Sequence, residues 1–167
     1  MNVVGIGTDI IECLRIAQMV ERHGELFLGR VFTSLEIEYC SSRKAATQHY
    51  AGRWAAKEAI LKAMGTGWSR GIRWKDIEVR TEMSGKPHVQ IQGTAWEICQ
   101  QRGIASFELS ISHCRSHATA FAVALGNGEG CNGSGFADSI YCSLSSHLFS
   151  NVVCVAHNLR YRLIGES

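Results

Sequence analysis

The pattern of hydrophobic and polar positions in the N-terminal part of the chain predicts one strand and three helices. Residues 2–7 are rich in Val and Ile and suit a short buried strand. A helix is predicted over residues 11–22, and Gly24 is expected to stop it. Thr33 and Glu36 have the spacing of a capping box, so a second helix should begin there. A long third helix follows over residues 44–64, with Gly65 as its C-terminal breaker.

The pattern of the next segment predicts two hairpins separated by a fourth helix. Alternating residues 76–81 and 88–92 form the first hairpin around the turn SGKP. Thr94 and Glu97 stand at capping-box spacing and should start a helix that ends at Gly103. Residues 107–112 and 118–125 form the second hairpin. Because the helices are segregated from the hairpins, we predict an α+β fold and not a doubly wound sheet.

The composition changes at Gly126, where the ten residues GNGEGCNGSG contain five glycines. Such a stretch is typical of a flexible linker. We therefore predict a domain over residues 1–125, followed by a glycine-rich linker and tail over residues 126–167 whose role the sequence leaves open.

Composition and charge narrow the class of partner. The chain has 167 residues and a net charge of +2, and residues 1–125 carry about +3 because the tail sums to −1. This charge is far below that of a dedicated nucleic-acid binder, so we expect a smaller anionic ligand or an acidic protein and no nucleic acid. Seven cysteines without a C-x-x-C pair favour a reducing cytoplasm. No signal peptide and no apolar run long enough for a membrane span is visible, so no membrane is expected.

Glu58 is the one acidic residue between Tyr39 and Lys75, a segment that contains eight basic residues. Crowded positive charges repel one another unless an anion binds among them. A carboxylate in such a field could hold a metal ion that a polyphosphate also ligates, and Mg²⁺ commonly uses one or two carboxylates in this way. The alternative is an ordinary solvated helix face, on which Glu58 and Lys62 form an i,i+4 ion pair.

Asp9 and His113 are the other candidate chemical groups. Asp9 closes the motif GIGTD and could supply the second metal ligand, although it could equally cap a helix that begins near Ile11. GIG lacks the G-x-G-x-x-G pattern and the βαβ context of a dinucleotide site. His113 ends the predicted strand FELSISH, a position where a histidine is most often packed or hydrogen-bonded.

Taken in order, these motifs resemble those of the holo-[acyl-carrier-protein] synthases, the small bacterial class of 4'-phosphopantetheinyl transferases. The resemblance runs from about Asn2 to Leu125 and rests on GIGTDI, RWAAKEAILKAMGTG, SGKP and SISH. It implies the fold of that superfamily and a Mg²⁺-dependent transfer of phosphopantetheine from coenzyme A to a serine of an apo acyl carrier protein, with release of adenosine 3',5'-bisphosphate.

The resemblance also implies roles for individual residues. Asp9 and Glu58 would ligate Mg²⁺, and Lys62 would complete the catalytic group by neutralising charge on the phosphates. The residues that would seat the nucleotide are Arg53, Lys57, Gly65, Thr66, Gly67 and His113. Either Glu58 or a water on the metal could remove the serine proton.

The first helix would provide the docking surface for the acidic carrier protein, through Arg15, Met19 and Arg22, and the protein would assemble as a homotrimer. Two other functions stay open. One is a catalytically silent module that binds an acidic carrier protein, and the other is a Mg²⁺-dependent nucleotide phosphohydrolase. The intact set of Asp9, Glu58 and Lys62 argues against the first. The shortage of further acidic metal ligands argues against the second.

Overall fold

The computed structural model of the protein describes residues 1–67 and 71–127. The predicted tail therefore lies outside the described residues, except for Gly126 and Asn127. The elements in chain order are β1 (Asn2–Glu12), α1 (Cys13–Val31), α2 (Ser34–Ser41), α3 (Ala46–Met64), a short 3₁₀ turn (Trp74–Asp76), β2 (Ile77–Thr81), β3 (Pro87–Ile91), α4 (Gly93–Gln101), β4 (Ile104–His113) and β5 (His117–Gly126).

The strands form an antiparallel sheet in the order β1-β5-β4 and a separate antiparallel hairpin of β2 and β3. One strand, three helices, a hairpin, a helix and a second hairpin follow one another as the sequence predicted. The predicted α+β class is confirmed.

Small residues allow α3 to lie close against the three-stranded sheet. Every second residue of β5 is an alanine that is fully buried, at positions Ala118, Ala120, Ala122 and Ala124. On β1, a Cβ atom at Gly5 would overlap the carbonyl oxygen of Ala63, and one at Gly7 would overlap that of Ala59. The close packing of β1 on α3 therefore requires glycine at both positions.

Helix α3 is the centre of the fold. All of its residues from Tyr50 to Met64 are buried except Lys62. An aromatic group covers the helix on the side away from the sheet: Phe27 and Trp74 pack against Trp54, and Phe32 packs against Tyr50. A helix enclosed in this way must find partners for any charge that it carries.

Three sequence predictions of local structure are wrong. Strand β1 extends to Glu12 because it pairs with β5 as far as His117, and one of its faces is exposed. Gly24 adopts a positive φ of 51° and interrupts α1, but the helix then resumes and ends at Val31. Helix α4 begins at Gly93 with Gln92 as its N-cap and without a side-chain cap, so the predicted capping box of Thr94 and Glu97 does not form.

Candidate active site

Asp9, Glu58 and Lys62 are brought together where β1 crosses α3. Alternation along β1 places Gly5, Gly7 and Asp9 on the face toward the helix. Gly5 packs against Ala63 and Gly7 packs against Ala59. Successive residues of β1 on this face therefore contact α3 at positions closer to the N-terminus of the helix. Asp9, the next residue on this face of β1, contacts α3 through Lys62, which follows Glu58 by four residues.

Lys62 joins the two elements. Its Nζ donates a hydrogen bond of 2.8 Å to Asp9 Oδ1 and another of 2.9 Å to the carbonyl oxygen of Thr8. Glu58 precedes Lys62 by one turn on the same side of α3. One carboxylate and the ammonium group are thus in contact, and the second carboxylate belongs to the preceding turn of the helix.

The site is partly closed to water. The side chains of Lys62 and Asp9 are 29% and 17% exposed, and Glu58 as a residue is 4% exposed. Burial raises the pKa of Asp9, and the hydrogen bond and charge of Lys62, together with the charge of Arg15, oppose that rise. Lys62 and Arg15 thus offset only part of the effect of burial on this carboxylate.

The structure argues against the two ordinary alternatives for the acidic residues. Glu58 is buried, so it does not belong to a solvated helix face, and Lys62 forms an ion pair with Asp9. Asp9 does not cap a helix, because α1 begins at Cys13 and has Glu12 as its N-cap.

The prediction that Lys57 helps to seat the nucleotide needs correction. Lys57 is fully buried on the opposite side of α3, and its Nζ donates to Glu36 Oε2 (2.7 Å) and to the carbonyl oxygens of Val31 (2.8 Å) and Trp74 (3.1 Å). All three N–H groups of the ammonium are thus used inside the core. Glu36 also accepts from the backbone N–H groups of Thr33 and Val79. Lys57 therefore ties α1, α2 and the 3₁₀ turn to α3, Glu36 extends the network to β2, and Lys57 has no donor left for a phosphate.

Arg53 and His113 belong to a basic cluster that the sequence analysis identified only in part. The Arg53 Cζ atom lies 4.0 Å from the centroid of the Tyr39 ring, and its Nη2 donates to Thr81 Oγ1. The exposed ring of His113 packs edge-on against His49, at 5.2 Å between ring centroids. Tyr39 and His49 were not among the predicted site residues. The excess of basic residues between Tyr39 and Lys75 was the one feature of the sequence that could have indicated them, and such an excess gives no reason to select a tyrosine.

The glycine loop after α3 takes the predicted form. Gly65 has a φ of 66° and caps the helix in the left-handed conformation, and Gly67 has a φ of 55°. The backbone N–H of Thr66 donates to the carbonyl oxygen of Leu61. The loop thus leaves the helix at the end nearest Lys62.

The predicted docking residues lie along α1. Arg15 and Arg22 are exposed and Met19 is partly buried. Leu14 beside Arg15 is a large apolar residue that is also exposed. Helix α1 begins at Cys13, four residues after Asp9, so its first turn with Arg15 lies close to the candidate active site.

Comparison with known proteins identifies the family. The family model of the 4'-phosphopantetheinyl transferase superfamily matches residues 5–123. A holo-[acyl-carrier-protein] synthase of Rhodopirellula baltica is 44% identical over 123 residues, which are 74% of this chain and 98% of that relative. The chain therefore belongs to the 4'-phosphopantetheinyl transferase superfamily.

Solved structures agree with this assignment. The crystal structure of the holo-[acyl-carrier-protein] synthase of Neisseria meningitidis matches with a TM-score of 0.69 at 31% identity, over 74% of this chain and 99% of that one. The Helicobacter pylori holo-[acyl-carrier-protein] synthase in complex with coenzyme A matches with a TM-score of 0.64 at 30% identity, over 72% and 99%. The resemblance found in the sequence motifs is confirmed, and with it the expectation that the protein is an enzyme of this class.

Proposed function

We propose that this protein transfers the 4'-phosphopantetheine arm of coenzyme A to a serine of an apo acyl carrier protein and releases adenosine 3',5'-bisphosphate. The observation that carries the proposal is the ion pair of Asp9 with Lys62 where β1 crosses α3, one helical turn from the buried Glu58. Phosphoryl transfer depends mainly on positioning and on neutralising phosphate oxygens, and this set of side chains is suited to both.

Asp9 and Glu58 fit a Mg²⁺ ion by their chemistry. Both offer carboxylate oxygens, which Mg²⁺ prefers, and both are substantially buried. Within residues 1–67 and 71–127, no three His, Cys, Asp or Glu side chains form a metal-holding group. Two carboxylates fit an ion that takes its remaining ligands from water and substrate. When bound, Mg²⁺ would neutralise charge on the pyrophosphate of coenzyme A.

Lys62 holds Asp9 in place and provides the second positive charge. Because its ammonium has solvent access, a phosphate oxygen can reach it without entry into the core. Arg53, His113 and the loop of Gly65, Thr66 and Gly67 lie on the elements next to this group, and we assign them to the nucleotide. Lys57 has no part in the binding of substrate.

The exposed surface of α1 is the proposed landing site for the carrier protein. Arg15 and Arg22 supply positive charge, and Leu14 and Met19 supply apolar contact area between and beside them. This combination suits an acidic partner that also buries a few apolar side chains.

The face of the three-stranded sheet that points away from α3 supports the proposal of a homotrimer. Ile6, Ile10 and Phe121 project from this face and are all exposed in the single chain. Apolar residues grouped in this way are typical of an interface. Sedimentation velocity of the full chain tests the proposal, and a purely monomeric species would contradict it.

The cytoplasm is the proposed location. Cys13, Cys40, Cys99 and Cys114, the cysteines of the described part of the chain, are free thiols, in keeping with a reducing compartment. Among the helices in residues 1–67 and 71–127, none combines the length and the apolar character that crossing a membrane requires.

The activity is tested by incubating the protein with apo acyl carrier protein, coenzyme A and Mg²⁺ and reading the carrier by intact mass spectrometry. We expect a gain of one phosphopantetheine that a chelator abolishes. Asp9→Asn and Glu58→Gln should each lower the rate by about 10²–10³-fold, because each removes a preorganised charge. Glu97→Ala, at an exposed carboxylate on α4, is the matched control and should be fully active.

The two alternative functions predict different results in the same assay. Binding of the carrier without any mass gain would favour the silent binding module. Release of phosphate from coenzyme A without a carrier would favour the phosphohydrolase. Full activity in both Asp9→Asn and Glu58→Gln would contradict the assignment of the site.

A further inference from the structure

Two cysteines lie close together where the turn between β4 and β5 meets the start of α1. The backbone N–H of Cys13 donates to the carbonyl oxygen of Ser116 (2.8 Å), and its thiol donates to the carbonyl oxygen of Cys114 (3.8 Å). That carbonyl oxygen is two bonds from the Cα atom of Cys114, so the Cys13 sulfur lies within about 6.5 Å of this Cα atom. The two sulfurs can therefore meet after a rotation about χ1 of Cys114 and a small shift of the exposed turn.

The two thiols have opposite environments. Cys114 is exposed, whereas Cys13 is only 4% exposed. Hydrogen bonds from the Ser116 hydroxyl and from the backbone of the turn lower the pKa of Cys114, while burial raises the pKa of Cys13. Cys114 therefore forms a thiolate more readily and meets reagents in solvent. Cys13 is shielded from solvent but lies beside Cys114.

A short chain of polar groups supports the exposed thiol. The Sγ atom of Cys114 lies 3.4 Å from Ser116 Oγ, and this oxygen lies 3.0 Å from Nδ1 of His117. When His117 donates to the Ser116 oxygen and the Ser116 hydroxyl donates to sulfur, both groups stabilise a thiolate. An exposed, hydrogen-bonded thiol beside a second cysteine is the arrangement that redox-sensitive sites use.

We propose that hydrogen peroxide oxidises Cys114 and that Cys13 then closes a disulfide with it, which fixes the turn to the first residue of α1. In the first step the Cys114 thiolate attacks one peroxide oxygen, the O–O bond breaks, and the leaving hydroxide takes up a proton to become water. In the second step Cys13 loses its proton to solvent and its sulfur attacks the sulfenic sulfur of Cys114. The S–O bond breaks, and hydroxide leaves and is protonated to water. Two thiols are thus oxidised to one disulfide while one peroxide is reduced to two waters.

The disulfide acts on the surface proposed for the carrier protein. Arg15 follows Cys13 by two residues, and Arg15 and His117 line the same open pocket of about 360 Å³. A covalent link between the turn and α1 draws the first turn of the helix toward the hairpin and displaces Arg15. The oxidised protein then binds the carrier more weakly. This consequence rests on the proposed function, whereas formation of the disulfide does not.

Peptide mapping of the full-length protein tests the disulfide. Reduced protein is treated with a small molar excess of peroxide and the remaining thiols are alkylated under denaturing conditions. Trypsin then releases Cys13 within residues 1–15 and Cys114 within residues 103–115. We expect these two peptides to be joined, with a mass two hydrogens below the sum of their thiol forms. Cys40 and Cys99, whose pKa burial raises to about 11, should be fully alkylated and serve as internal controls.

Variants separate the two steps. Cys13→Ser should leave Cys114 as a sulfenic acid that dimedone labels, and Cys114→Ser should protect Cys13 from oxidation. Ser116→Ala should slow formation of the disulfide about fivefold, because the hydroxyl no longer stabilises the thiolate. Cys114 that stays reduced in peroxide would overturn the inference. A disulfide of Cys114 with a cysteine of the tail or with a second copy of the chain would overturn it as well.

Transfer assays measure the consequence. Oxidation should raise the KM of the native protein for the carrier by about threefold, and dithiothreitol should restore it. Cys114→Ser should keep the value of the reduced protein throughout. An unchanged KM after the disulfide has formed would overturn the effect on carrier binding. The absence of transfer by the reduced protein would instead contradict the proposed function.

Discussion

Two lysines of α3, five residues apart, show how burial decides the use of a charge. Lys57 lies in the core and donates to three oxygens, while Lys62 lies at the surface and shares its charge between Asp9 and the backbone of Thr8. Burial lowers the pKa of Lys57, and its charge is retained because Glu36 lies against it. A lysine with every donor satisfied holds the fold together. One with solvent access can meet a substrate.

The largest effect on stability is expected at the buried lysine. Lys57→Met should lower the free energy of unfolding by about 3–5 kcal/mol, because Glu36 would remain as a buried charge without its partner. Chemical denaturation followed by circular dichroism measures this change. The double variant Glu36→Gln/Lys57→Met should recover part of the loss, since both charges are then gone. A loss below 1 kcal/mol in Lys57→Met would place this lysine outside the structural network.

Lys62→Met should show the opposite pattern. Its side chain is partly exposed, so we expect the unfolding free energy to change by less than about 1 kcal/mol. The rate of phosphopantetheine transfer should fall by about 10²–10³-fold, because a charge positioned at the phosphates is lost. Denaturation and transfer assays on the same preparation give both values. If Lys62→Met unfolds the protein and Lys57→Met leaves it folded, the assignment of a structural role to Lys57 and a substrate-binding role to Lys62 is contradicted.

An exposed basic residue on α1 should have a smaller and different effect. Arg15→Glu is expected to raise the KM for the carrier protein by about tenfold, because repulsion replaces attraction at the docking surface. The KM for coenzyme A should change little. Lys75→Glu makes the same charge change at another exposed position and should leave the carrier KM unaltered. Equal effects of the two variants would show that only net charge matters.

The smallest effect concerns pH. The pKa of Asp9 is higher in the folded protein than its ordinary value, so the folded state binds more protons between these two values than the unfolded state does. The contribution of Asp9 to stability therefore falls as pH rises through this window, while activity rises as the carboxylate ionises. The difference in unfolding free energy between the native protein and Asp9→Asn isolates this contribution. A difference that grows in favour of the native protein with rising pH would contradict the raised pKa.

Much of the fold could be predicted because its signals are local. The capping box of Thr33 and Glu36 forms as expected, and Gly65 ends α3 in a left-handed conformation. The motif Thr94 to Glu97 has the same letters as a capping box, but Gly93 and Gln92 already start that helix. Spacing alone cannot show which residue is the N-cap, because this depends on the backbone conformation of the residues that precede the helix.

Sequence reasoning could single out candidate site residues where metal and phosphate chemistry demands a residue type, but it failed where packing alone decides the role of a residue. Asp9, Glu58 and Lys62 stood out because metal and phosphate chemistry needs carboxylates and an amine. Lys57 carries the same charge as Lys62, and no feature of the sequence shows that α3 is covered on all sides at that point. Its partner Glu36 was visible only as a helix-capping residue, although its second role reaches across 21 residues of the chain.

The contact of Gly5 and Gly7 with α3 has a consequence for how this enzyme could change over time or be redesigned. The width of the gap between strand and helix is set by two missing methyl groups, since a Cβ at either position would strike a helix carbonyl. Even alanine at Gly7 would push β1 outward and carry Asp9 away from Lys62. A search for positions that tolerate substitution would overlook Gly5 and Gly7 if it considered only reactive side chains. Both residues contribute by having no side chain, which lets the strand approach the helix.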